Sequence, residues 1–145
     1  MAAMSDFLEN KIIDQVFRGQ AYSFPATVYV GLFTASPSDV AGGTEVSGNN
    51  YSRVAVTSSL ANWAGTQGSG TTVASTGNTG TTSNNTQITF TTPSANWGTV
   101  VAFGMFDAAT GGNLLFYGTL TLAKTVNQGD MVTFPAASLS IQIDN

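Results

Sequence analysis

The stretch Thr27-Val28-Tyr29-Val30-Gly31-Leu32-Phe33-Thr34, which runs through Ala35 into Ser36-Pro37-Ser38-Asp39, decides the fold. It is rich in β-branched and aromatic residues with a period of two, and it ends at turn-forming residues, so it reads as a buried strand. Downstream, residues 40–50 form a loop marked by Gly42-Gly43 and Gly48-Asn49-Asn50. The alternation resumes at 51–57, with Val54 and Val56 on one face and Arg53 on the other. Further strands are expected at 87–91, where Ile88 and Phe90 share a face, and at 99–106, 114–120, 131–134 and 139–143. Asp107-Ala108-Ala109-Thr110-Gly111-Gly112-Asn113 has the residues of a hairpin loop, so the strands on either side of it should pair antiparallel. Asn127-Gln128-Gly129-Asp130 is a second tight turn.

Upstream of the deciding stretch the period is helical. Leu8, Ile12 and Val16 repeat at i, i+4 and i+8, with Ile13 and Phe17 widening the stripe. Ser5 or Asp6 can cap the start, Asp6 and Glu9 put negative charge in the first turn, and Gly19 follows the last turn, giving a helix over 5–18. The fold class read from the sequence is therefore mainly β: an antiparallel β-sandwich or partly open barrel of about seven strands with one N-terminal α-helix. The 145 residues fit a single domain, 1–145, with the β-domain at 26–64 and 87–145.

Composition narrows the function. The chain has no His, no Cys, and only 4 basic and 8 acidic residues. General acid/base, thiol and transition-metal chemistry have little to draw on, so no catalytic, cofactor or metal residues are assigned and a structural or binding role is expected. Charged residues make up 8%, against roughly 25% in typical soluble domains. Such a polar, nearly uncharged surface suits lasting contact with a partner or with copies of itself. With Lys11, Arg18, Arg53 and Lys124 as the only cations, no phosphate-tracking surface and no nucleic-acid partner are expected. No apolar run approaches the ~20 residues that span a bilayer, and the start of the chain does not read as an export signal, so no membrane partner is expected.

Residues 65–86 are Gly, Ser, Thr, Asn or Gln except for Val73 and Ala74. That composition cannot offset its ordering entropy by apolar burial, so the segment reads as a flexible loop that orders by adding a strand to a partner's sheet edge. Other constellations fall away. Asp107, Thr110 and Asn113 lack the further acid a calcium loop needs, the Gly-rich stretch at 65–80 contains no Lys for a phosphate loop, and no Ser has an activating base beside it. Asn84-Asn85-Thr86 matches a glycosylation acceptor by composition alone. Arg53 is either an ordinary exposed side chain or an interface donor, and Trp63 and Trp97 are either core or contact anchors. Together with Tyr51, the tryptophans also suggest a sugar-stacking module.

Several segments resemble a group of short virion proteins of tailed bacteriophages. They are Leu8-Glu9-Asn10-Lys11-Ile12-Ile13-Asp14 with Phe17-Arg18-Gly19-Gln20, Val28 to Thr34, Gly43-Thr44-Glu45-Val46-Ser47-Gly48 with Tyr51-Ser52-Arg53-Val54-Ala55-Val56, Trp97-Gly98-Thr99-Val100, and Gly104 to Gly118. The resemblance implies a non-enzymatic particle component, of a kind labelled tail-fibre-like and similar also to capsid cement (decoration) proteins. Because the chain shows one short helix and no repeat, where a fibre of usual construction needs long coiled coil or repeated β elements, the expected placement is the outer surface of the phage head. There it would bridge the major capsid protein, as a small homo-oligomer. The alternative is a tail-fibre or tail-tip structural protein, possibly carbohydrate-binding. The contact residues expected are Leu8, Ile12, Val16, Arg53, Trp63, Val73 and Trp97, with no cofactor.

Overall fold

The computed structural model describes residues 2–143. A short strand β1 (Ala2–Met4) leads into helix α1 (Asp6–Phe17), and the β elements follow: β2 (Thr27–Ala35), β3 (Thr44–Glu45), β4 (Val54–Thr57), β5 (Thr81–Ser83), β6 (Ile88–Thr89), β7 (Gly98–Phe106), β8 (Leu114–Val126), β9 (Thr133–Phe134) and β10 (Ser140–Gln142). The main sheet runs β1-β8-β7-β2, and β2 pairs along its outer edge with both β3 and β4. Two antiparallel ribbons, β5–β10 and β6–β9, complete the β structure. Among the described residues every pairing is antiparallel and no barrel closes.

The deciding stretch becomes the central strand β2 because both of its faces are apolar. Val30 and Leu32 turn toward the main core, where Val100 and Met105 of β7, Val126 of β8, Ile88, Phe90, Leu139 and Ile141 meet them. The ribbons thus supply the second layer of a sandwich. Phe33 points the other way, into a smaller cluster with Ala102, Phe106 and Leu114. A strand buried on both sides reads as a continuous apolar run, which is what residues 28–33 are.

Glycine matters most where β2 meets β7. Gly31 and Gly104 are register partners, and a Cβ on Gly104 would lie 2.8 Å from Phe33 Cε2 and 2.9 Å from Leu114 Cδ1. The missing side chain lets the Phe33 and Phe106 rings lie stacked over the sheet, 6.1 Å apart. The hairpin expected between 106 and 114 forms, and the Asp107 carboxylate closes it by accepting from the backbone and side-chain amides of Asn113, both at 2.7 Å. The turn at 127–130 closes in the same way, Asp130 accepting from the Asn127 amide at 2.8 Å.

The described residues form ten strands where about seven are expected. The three additions, β1, β3 and β5, are two or three residues long, too short for any periodicity to register. β8 also runs six residues past its expected end. It does so through an irregularity in which residues 120–123 oppose Val101 alone, and Leu122 is left 80% exposed.

Candidate assembly surfaces

The helix forms where its pattern places it, and its N-terminus is fastened to the sheet. Ser5, 1% exposed, caps the helix by accepting from the Leu8 amide, donates its hydroxyl to the Leu114 carbonyl, and donates its own amide to Leu115 O at 2.9 Å. The Asp6 amide reaches Asp39 O at 3.0 Å. At the other end Gly19 takes φ +66°, the left-handed residue that ends the helix, and the amides of Arg18 and Gln20 both bond Asp14 O. The stripe expected to meet a partner is split along its length. Leu8 is 3% exposed and packs inward, Ile12 is half-buried, and Val16 is 63% exposed.

Arg53 is neither an open surface side chain nor a free donor. Its side chain is 8% exposed. Nε and Nη2 grip the two Glu45 oxygens at 2.8 Å each, Nη1 donates to Ala108 O and Gly111 O at 2.9 and 2.8 Å, and the guanidinium lies 3.3 Å over the Phe106 ring. Tyr51 joins the group, donating its hydroxyl to Glu45 Oε1 at 2.9 Å and accepting from the Leu32 amide at 2.8 Å. Burial pushes the Tyr51 phenol well above its ordinary pKa, with the Glu45 charge adding to the rise. The cluster binds β2, β3 and the 107–113 hairpin into one unit.

Trp97 resolves to the core. It is 7% exposed, its indole donates to Asn49 O at 3.0 Å, and Tyr51 packs edge-on against it at 5.2 Å. Trp63 is half-buried against the main core, its backbone bridged to Asn84, and it reaches a shallow cleft beside Ser58, Ser59 and Leu60. Val73 is 61% exposed on the long loop. The seven expected contact residues are therefore not gathered into one surface.

The 65–86 segment is organised within the chain, against the expectation of a flexible loop. Side chains bond its backbone repeatedly: Thr71 Oγ1 to Gly68 O at 2.7 Å, Gln67 Nε2 to Ala74 O at 2.7 Å, Thr79 Oγ1 to Thr66 O at 2.9 Å. Its Thr-rich end does add a strand to a sheet edge, but the edge is the chain's own β10. Asn84, 1% exposed, anchors the end of the segment by donating to Thr86 O and Pro135 O at 2.8 Å and accepting from the Leu139 amide at 2.9 Å. Nothing in the sequence marks Asn84 for this role beyond the habit of Asn to bond backbone.

No group of three or more His, Cys, Asp or Glu placed to hold a metal occurs among the described residues. No helix among them is long and apolar enough to cross a membrane. The cleft of about 570 Å³ along Val100, Leu120, Met131 and Phe134 has Lys124 and Asp130 as its ionisable groups, and Asp130 already serves the adjacent turn. Residues 3–142 match the model of a protein family described as podophage GP4 fiber I protein gp80. The chain belongs to this family. It is a phage virion protein of a fibre-type family, and no curated protein matches it. The family's description favours the fibre alternative over the capsid-cement placement expected from the sequence.

Proposed function

We propose that this chain is a non-enzymatic structural component of a podophage tail fibre, acting by adhesion to other virion proteins and to further copies of itself. The family match over residues 3–142 carries the reading. A sandwich whose charges are largely spent on its own architecture supports it. Arg53 and Glu45 lock two strands to a hairpin, and Asp107 and Asp130 close turns. Such a module resists deformation and offers neighbours a polar, hydrogen-bonding surface with little charge to desolvate. A fibre built from compact units needs no coiled coil in each unit, since many modest interfaces in register hold a filament together.

The sugar-stacking alternative loses two of its three aromatics, because the Trp97 and Tyr51 rings are engaged inside the fold. Cryo-electron microscopy of the intact particle, with the copy number per virion, tests the reading. Density on the tail at low copy number is expected. Density spread over the head at hundreds of copies would replace it with the cement role.

A further inference from the structure

The outward face of α1 is left exposed by the rest of the described residues. At about 100° per residue, Asp6, Glu9, Asn10, Ile13, Val16 and Phe17 fall on one arc turned about 80–200° from the buried Leu8, and all six are exposed. The face is divided along its axis. Its first half carries the two acids, and its second half is apolar, with Ile13 49%, Val16 63% and Phe17 80% exposed. Single exposed apolar residues are ordinary, but three contiguous ones on two turns of a helix form a patch.

Charge selects the occupant. The helix's two bases are turned to other uses, Arg18 pairing with Asp14 at 3.0 Å and Lys11 lying 5.6 Å from the Phe7 ring, so this face presents acids and no base. A second copy would bring the same acids, on a chain of net charge −4. Three side chains on one face also expose at most a few hundred Å², short of the ~800 Å² per partner of a stable pair of copies. A groove makes up that deficit by enclosing the flanks of the helix as well.

Resting on the fibre reading, we infer that α1 is the attachment peg of the module: its Ile13–Val16–Phe17 patch enters an apolar groove on a different virion protein, with Lys or Arg on the rim where Asp6 and Glu9 fall. The fastening of the N-terminal end through Ser5 and Asp6, with Gln15 Oε1 accepting from the Tyr22 amide farther along, holds the exposed patch at a fixed angle. Recognition of this kind uses anchors at i, i+3 and i+4, the spacing of Ile13, Val16 and Phe17.

The test is complementation of a phage lacking this gene with the full chain, scoring copies per purified particle by quantitative immunoblot. Wild type is expected in the particle. Phe17→Ser, and more strongly Ile13→Asp with Phe17→Asp, should lower incorporation by about fivefold or more, with unchanged circular dichroism, melting temperature and sedimentation of the free protein. Glu9→Lys should lower retention about threefold at low salt, the difference narrowing as salt rises. Because Phe17 is so exposed, the single Ser variant keeps the test valid should the double variant fail to fold.

Folded variants that incorporate like wild type overturn the inference. So does a Phe17→Ser change in sedimentation, which would make the face a self-interface, or an unchanged or raised retention of Glu9→Lys, which would remove the basic rim. Absence of the wild-type chain from particles would instead strike the fibre reading itself, an outcome no helix variant can imitate.

Discussion

Removing Arg53 should expose how much of the fold depends on one buried ion pair. In Arg53→Met the guanidinium contact over Phe106 is lost, and Glu45 loses both of its 2.8 Å guanidinium bonds while retaining the Tyr51 hydroxyl. Stripping one partner from a buried pair costs about 3–5 kcal/mol, because the remaining charge is left uncompensated. The Glu45 side chain is 25% exposed, so water relieves part of that penalty and the lower end applies. The freed Gly111 carbonyl lies at an exposed contact and turns to solvent at little cost. The expected loss is about 3 kcal/mol, which for a chain of this size lowers the melting temperature by about 6–12 °C.

The assay is urea unfolding followed by tryptophan fluorescence, run on Arg53→Met, Glu45→Gln and the double variant. Glu45→Gln keeps an oxygen for Tyr51, so the double variant should lie within about 1.5 kcal/mol of wild type and reveal a favourable coupling between the two sites. An Arg53→Met variant within about 0.5 kcal/mol of wild type, or strictly additive singles, would refute the view that this pair clamps the hairpin to the sheet.

Other expectations follow from single positions. Gly104→Ala puts a methyl group against Phe33 and Leu114 at under 3 Å and should cost about 1–3 kcal/mol by overpacking, read as a lower denaturant midpoint. Asn84→Ala strands the buried Leu139 amide and takes a donor from Thr86 O, while Pro135 O keeps its Ser138 donors, so stability should fall by about 1–3 kcal/mol and limited proteolysis should cut faster within 65–86. The hydrogen bond to Asp39 raises the Tyr117 phenol to about 12. Since that folded value lies above the unfolded one, its contribution is complete below about pH 10 and disappears as pH climbs through 12. Tyr117→Phe should therefore flatten the fall of melting temperature across that window, and its tyrosinate absorbance should lack one of the late-titrating phenols of wild type, with Tyr51 remaining.

Much of the architecture was legible because it is local. The helix needs only its cap, its stripe and its stop, and β2, β7 and the 107–113 hairpin need only alternation and turn residues. Alternation puts Arg53 on the face opposite Val54 and Val56, as the structure does, but says nothing of its exposure, since what covers it is Phe106 and a hairpin more than fifty residues away. Apolar burial alone predicts a flexible loop at 65–86, and the structure orders it. Its order comes from Thr, Gln and Asn side chains bonding nearby backbone, a source of stability that composition hides.

The helix shows the same limit in its simplest form. Leu8, Ile12 and Val16 look like one stripe in the sequence, but each i, i+4 step advances about 40° around the axis, so eight residues carry the stripe roughly 80° off its starting direction. With Leu8 fixed on the sheet by the Ser5 cap, Val16 must rotate outward, and the burial gradient along the three residues follows from that geometry. The residues beside Val16 on the new face are Ile13 and Phe17, which in the sequence only widened the stripe. A helix pinned at one end by its cap thus divides a single apolar pattern between two tasks, docking its first turn on its own sheet and presenting its last turns to whatever the sheet does not cover.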